Sequence, residues 1–163
     1  MFFGAGEAGI GIGELISAAI AKETGCSLDE ARKRCWFVDS KGLVCSARLS
    51  DGVADGGKKL EHHKVPYAHD LSIVGGSNSA VPTSLAEAVK LIKPTGMVGV
   101  SAQGGVFSEA IIKDLLNYSE HPLIFALSNP THKAECTAKD AYTWSNGKLY
   151  YAIYYNTIIS HHI

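Results

Sequence analysis

Met1-Phe2-Phe3-Gly4-Ala5-Gly6-Glu7-Ala8-Gly9 is the stretch whose reading decides the fold. An apolar run, the tail of a buried strand, passes directly into three glycines spaced G-x-G-x-x-G. Ile12, Leu15, Ile16, Ala19 and Ile20 then recur at helical spacing. In a strand-loop-helix of this kind the first glycine permits the tight turn and the second lets the backbone approach a pyrophosphate. The third lets helix and strand pack closely, with the anion over the helix N-terminus. The spacing alone is common. Its place between a strand and an amphipathic helix is the context that a dinucleotide site requires.

Strand and helix patterns alternate through the rest of the chain. Gly25 fits a helix stop, and Ser27 to Glu30 reads as a capping box opening a short helix through Arg34. Cys35 to Val38 is a short apolar strand ending at Asp39, and Ser46 to Ser84 has no clear period. Helices are expected over Leu85 to Ile92, Phe107 to Leu116 and Thr137 to Trp144. Strands are expected over Met97 to Ala102, Leu123 to Leu127 and Leu149 to Tyr155. Such alternation predicts an α/β fold, a Rossmann-like parallel sheet with helices on both faces.

The chain has 163 residues, 46% of them hydrophobic and 19% charged, which is one domain's worth of core and excludes a disordered chain. Its 15 basic and 16 acidic side chains leave a formal net charge of -1, so nucleic acid is not an expected partner. Glu7 and Glu14 interrupt the apolar N-terminal stretch, and a carboxylate mid-membrane costs about 3 kcal/mol, so no membrane span or leader is read there. Cys26, Cys35, Cys45 and Cys136 form no CxxC pair and read as thiols of a reducing compartment, the cytosol or an organelle. The histidine pairs His62-His63 and His161-His162 are not spaced as metal clamps.

Several residues stand where a dinucleotide fold does its chemistry. Asp39 ends the second strand, where the ribose-reading acid lies, although its offset from the glycines exceeds the usual value of about 20. Ser40 and Lys41 follow it, a hydroxyl and an ammonium suited to a 2′-phosphate; an ordinary turn with one exposed lysine explains them equally well. Ala102, Gln103 and Gly104 lie at a second strand-turn-helix crossing. Gly99-Val100-Ser101-Ala102-Gln103 is close to the nucleophile elbow GxSxG, with Gln103 in place of the last glycine, so a serine hydrolase is a minor reading. Asn129, before Pro130, puts an amide at a strand end, either as a ligand contact or as a plain turn.

Taken together, six blocks resemble the malic enzymes. They are Phe2 to Gly9, Trp36 to Leu43, Pro66 to His69, Ile92 to Thr95, Phe125 to Thr131, and Ala134 to Thr143 except for a few intervening positions. The resemblance covers Phe2 to Lys148. It implies an NAD(P)-binding domain over 1–150, with 72–83 as an insertion loop and 151–163 as a divergent tail. It further implies oxidative decarboxylation of (S)-malate to pyruvate and CO₂, with NADP preferred, NAD possible, and Mg²⁺ or Mn²⁺ in the complete enzyme. Malate and pyruvate would be its small-molecule partners, and the family is usually homo-oligomeric. By resemblance Gly4, Gly6, Glu7, Ala8 and Gly9 lie along the pyrophosphate, and Asp39 is the ribose-side acid. Ser40, Lys41 and Lys64 face the 2′-phosphate, and Asn129 contacts the nicotinamide side and malate. The family's tyrosine acid, lysine base and acidic metal ligands belong to a segment before the matched stretch. This chain alone is therefore expected to be inactive, with no catalytic or metal residue of its own and with a short, weakly held first strand. The alternative expectation is a stand-alone dinucleotide-binding module without catalysis.

Overall fold

A computed structural model describes residues 1–49 and 60–153. Part of the glycine-rich connection and most of 151–163, the expected divergent tail, lie outside the described residues. Six strands form one sheet: β1 (Phe2–Phe3), β2 (Phe37–Asp39), β3 (Gly42–Leu43), β4 (Gly96–Gly99), β5 (Leu123–Ala126) and β6 (Tyr150–Ile153). Their order is β3-β2-β1-β4-β5-β6. All neighbours are parallel except β2 and β3, which pair antiparallel with Val38 opposite Leu43. The all-parallel expectation is thus corrected at one edge: Ser40 and Lys41 make a turn tight enough for a hairpin, which needs no crossover helix. The fold class itself, a Rossmann-like α/β sheet, is as expected.

From β1 the chain moves outward through β2 and β3, then returns to the other side of β1 as β4. The order therefore reverses between β1 and β4, and in open α/β sheets the crevice at the strands' carboxyl ends beside such a reversal is where ligands bind. β1 is short but bonded on both edges. Phe2 N–H donates to Trp36 O (2.7 Å) and Val100 N–H to Phe3 O (2.9 Å).

Alternate strand residues divide the core. Phe3, Trp36, Val38, Met97, Ile124 and Ala126 pack on one face with Ala88 and Val89 of α3 (Leu85–Ile92) and Ile111, Ile112 and Leu115 of α4 (Glu109–Tyr118). Ala141 of α5 (Ala138–Ser145) joins them. Phe2, Phe37, Val44, Tyr67 and Val98 pack on the other face with Ile10 and Ile12 of α1 (Glu7–Thr24). The second short helix, α2 (Leu28–Arg32), lies against α1. Ser27 caps it, its hydroxyl accepting from Glu30 N–H (3.2 Å), but the expected capping box is only half formed, since the Glu30 carboxylate pairs with Lys33, and the helix ends at Arg32 rather than Arg34; Gly25 ends α1 in the left-handed region.

α1 is turned differently from what its apolar spacing predicts. Its buried stripe is Gly9, Gly13 and Ser17, whereas Leu15 is 73% exposed and Ile16 37% exposed. The stripe is small because the helix lies directly on the sheet. A Cβ at Gly13 would stand 2.5 Å from the Phe37 ring. Ile16 and Ile20 instead line an apolar groove with Phe2, Val98 and Phe125.

The unpatterned region 46–84 contains order carried by long-range contacts. Short 3-10 turns occupy Ser46–Arg48, His62–Tyr67 and Leu71–Val74. Tyr67 is fully buried and donates to Glu14 Oε2 (2.7 Å), and Cys45 bridges to His69. The segment 72–83 closes on the hairpin, where Leu43 N–H donates to Pro82 O (2.9 Å).

Candidate functional site

The crevice at the carboxyl ends of β1, β2 and β4 is lined by Gly4, Gly6, Asp39, Ser40, Lys64 and Gln103, among others. Six residues singled out from the sequence thus meet around one cavity of about 250 Å³. The larger apolar groove beside α1 opens near the amino ends of the strands, at Met1, Gly96 and Leu123, away from the topological switch.

The glycine loop has the close contacts its spacing demands. Gly4 sits at φ +115, and a Cβ there would lie 2.6 Å from Val100 O. A Cβ at Gly9 would lie 2.4 Å from Gly4 O. At Gly6 it would meet nothing within 4 Å, so the first and third glycines serve packing while the second leaves space open. Gly6 is the N-cap of α1 and offers no side chain to the first helical turn, where Glu7, Ala8 and Gly9 stand. Uncapped amides at a helix start favour an anion.

Asp39 lies at the crevice wall with its acceptor capacity filled. Oδ1 accepts from Arg48 Nη1 (3.0 Å) and from the Lys41 amide (2.9 Å). Oδ2 accepts from Arg48 Nη2 (3.0 Å) and Lys64 Nζ (3.0 Å). A carboxylate has about four lone-pair sites, so none is left over. Burial pushes the Asp39 carboxyl up, but the hydrogen bonds from Arg48, the Lys41 amide and Lys64 outweigh it and hold the group below its ordinary range. Lys64 also pairs with Glu61 (2.9 Å). Burial works against its charge, yet the two carboxylates hold its ammonium above the ordinary value.

Arg48 and Glu61 were not singled out from the sequence; Arg48 falls in the region without periodicity. His63 was considered only for metal binding. Its ring instead stands over the loop, Nε2 3.2 Å from Ala5 O and Nδ1 3.3 Å from Glu7 Oε1.

The second crossing, after β4, faces the same crevice edge. Ala102 has φ +56, a left-handed conformation that costs a residue with a Cβ about 1–3 kcal/mol and needs outside support. Ala102 N–H donates to Ser128 Oγ (2.8 Å), which ties the loop to the end of β5 beside the exposed Asn129. Gly104 has a packing reason: a Cβ there would lie 2.2 Å from His132 O. The Ser101 hydroxyl donates to Glu135 Oε1 (3.1 Å), so it is engaged by a carboxylate rather than activated by an imidazole, and the hydrolase elbow finds no support.

A family model described as "Malic enzyme, NAD binding domain" matches residues 1–153. The chain belongs to the malic enzyme family. It is 46% identical over 152 residues to NADP-dependent malic enzyme 3 of Arabidopsis thaliana, covering 93% of this chain and 23% of that protein. It is 45% identical to the NADP-dependent malic enzyme of Phaseolus vulgaris over 93% of this chain and 23% of that protein. Its identity to the chloroplastic NADP-dependent malic enzyme of Solanum lycopersicum is 44%, over 93% of this chain and 24% of that protein. The chain thus spans about a quarter of the length of these relatives and corresponds to the cofactor-binding portion of the malic enzymes.

The glycine loop and the filled Asp39 cluster fit a dinucleotide. Among the described residues no group of three or more His, Cys, Asp or Glu could hold a metal ion. Among the described residues no helix is long and apolar enough to cross a membrane.

Proposed function

We propose that this malic enzyme domain binds NADP in preference to NAD. The complete polypeptide would oxidise (S)-malate and release pyruvate, CO₂ and NADPH. The observation that carries the reading is the saturated Asp39. A carboxylate that accepts from a ribose 2′-hydroxyl needs a spare lone pair, and four donors already occupy this one. The same contacts hold Lys64 at the crevice wall beside Ser40, with Arg48 buried against Asp39. The repulsion that a bare Asp39 carboxylate would exert on a 2′-phosphate is thereby neutralised. Charge-assisted contacts to a phosphate are the strong ones, so cations held there favour the phosphorylated ribose.

When bound, NADP supplies the hydride acceptor. The chain's own residues bind and orient it: the α1 amino end takes the pyrophosphate, Lys64 and Lys41 the 2′-phosphate, and Asn129 with the 102–104 loop the nicotinamide side. The base and the divalent metal of the reaction would come from elsewhere in the polypeptide. No step through the metal is derived from these residues. The four free thiols suit a reducing compartment, cytosol or plastid.

Calorimetric titration of the 163-residue chain with NADP and NAD tests the proposal. Tighter binding of NADP by tenfold or more supports it. Equal affinity removes the 2′-phosphate reading, and binding of neither removes the cofactor site.

A further inference from the structure

Glu135 is fully buried although it is charged by composition and lies outside the cavity-lining residues. Four donors converge on its carboxylate. Ser101 contributes its amide (2.9 Å) and its hydroxyl (3.1 Å) to Oε1. Ser128 contributes its hydroxyl to Oε1 (2.5 Å) and its amide to Oε2 (3.4 Å). Each hydroxyl oxygen in turn accepts a backbone amide: Ala102 N–H on Ser128 Oγ (2.8 Å), Gln103 N–H on Ser101 Oγ (3.3 Å). One carboxylate thus gathers Ser101 and Ser128 directly and Ala102 and Gln103 through one relay each. These are the loop after β4, whose Ser101 and Gln103 line the crevice, and the loop after β5, which carries Asn129. The backbone is cut to receive it, since a Cβ at Gly99 would stand 2.3 Å from Glu135 Cδ. The main chain of Glu135 completes the tie, its carbonyl accepting from Phe107 N–H (2.9 Å).

We propose that Glu135 is a positioning residue of the cofactor site: its carboxylate fixes the 101–104 and 128–129 loops relative to each other and holds Ala102 in its left-handed conformation. The effect on ligand rests on the dinucleotide reading of the crevice; the loop geometry itself does not. The bonding makes selective demands. Without the Ser128 hydroxyl, Ala102 loses its acceptor while Gln103 keeps Ser101. Without the Ser101 hydroxyl the reverse holds. A glutamine at 135 replaces the charged acceptor with a neutral amide oxygen, which weakens the Oε1 bonds from Ser101 and Ser128 together, and it turns an N–H₂ toward the Ser128 amide. It should therefore loosen both loops while leaving the glycine loop after β1 untouched, because that loop receives no bond from Glu135.

The test has two arms on the 163-residue chain. Amide hydrogen exchange by NMR, without ligand, compares wild type with Ser128→Ala, Ser101→Ala and Glu135→Gln. The expected result is at least tenfold faster exchange at Ala102 but not Gln103 in Ser128→Ala, and the opposite in Ser101→Ala. Both should accelerate in Glu135→Gln, with Gly6 to Gly9 unchanged. Uniform acceleration across the chain, or none at these amides, overturns the latch. The second arm titrates NADP and adenosine 2′,5′-bisphosphate, which lacks the nicotinamide half. Glu135→Gln should weaken NADP at least tenfold and the bisphosphate less than twofold. Equal weakening of the two, or none, overturns a positioning role toward the cofactor. A wild-type chain that binds neither nucleotide refutes the dinucleotide reading and the positioning role together, while the exchange arm still decides whether Glu135 holds the loops.

Discussion

Lys64→Ala separates a 2′-phosphate ligand from a merely structural lysine. In the wild type, Lys64 Nζ stands 3.0 Å from Asp39 Oδ2 and 2.9 Å from Glu61 Oε2, with its side chain 12% exposed at the crevice. A phosphate arriving beside it gains a charge-assisted contact worth about 1.5–3 kcal/mol. At about 1.4 kcal/mol per tenfold, truncation should weaken NADP by about 10- to 150-fold. NAD has no group to lose that contact. Asp39 keeps both Arg48 bonds and the Lys41 amide in the variant, so the crevice wall keeps its shape and NAD affinity should shift by no more than about threefold. Calorimetry with each nucleotide in the same buffer reads both numbers. Repetition at raised salt should shrink the NADP advantage, because the exposed part of the contact is screened. Equal loss of NADP and NAD would refute the reasoning, since it would mean that Lys64 supports the site as a whole and does not read the phosphate.

Three other outcomes follow from the same geometry. Gly6→Ala should leave the thermal midpoint within about 2 °C but reduce nucleotide binding, whereas Gly9→Ala, with its Cβ 2.4 Å from Gly4 O, should lower stability by about 1–3 kcal/mol in urea melts; similar melts for the two would sink the division of labour among the glycines. Asp39 has its folded value depressed, so its contribution is complete above the unfolded value of about 3.9 and lost as pH falls through the folded one; urea midpoints should drop below pH 4, and Arg48→Met should flatten that drop. Burial pushes the Cys136 thiol up to about 12 and raises Cys45, while Cys35 is 3% exposed, so an aromatic disulfide reagent should titrate Cys26 alone in the native chain and all four thiols in denaturant.

What the sequence made legible was local. The glycine loop, the Ser27 cap and the Gly25 stop each depend on residues within a few positions of one another, and the structure has them as read. Asp39 could be placed because a strand end is visible from its apolar run. Its partners could not. Arg48 lies nine residues on, past a hairpin turn and a second strand of only two residues, in a region without periodicity. Glu135 reaches Ser101 across 34 residues, a helix and a strand; its block was matched to the family, but no spacing rule connects it to either loop. The face of α1 was misjudged for a different reason. A helix lying directly on aromatic strand residues buries its smallest side chains, and a reading by hydropathy assigns the core to the largest apolar ones.

The two saturated carboxylates show how the crevice divides its tasks. Asp39 and Glu135 each accept from four donors, yet the donors differ in kind. Two of those on Asp39 are guanidinium nitrogens and one is an ammonium, so this carboxylate concentrates positive charge at one end of the crevice and cancels its own. All four on Glu135 are neutral amides and hydroxyls, so it organises backbone without gathering cations. An acid with bound cations beside it is suited to sit near an anionic group. A wholly buried acid held by neutral donors is suited to fix loops, because replacing one donor leaves a desolvated acceptor short of a partner, at about 1–3 kcal/mol. Loss of an exposed surface pair would cost far less. In the proposed binding mode the geometry of the nicotinamide end depends on residues that touch no ligand, and that of the phosphate end on residues that do. For this reason substitutions at Lys64 should alter which nucleotide is preferred, and substitutions at Glu135 should alter how well the nicotinamide half is held.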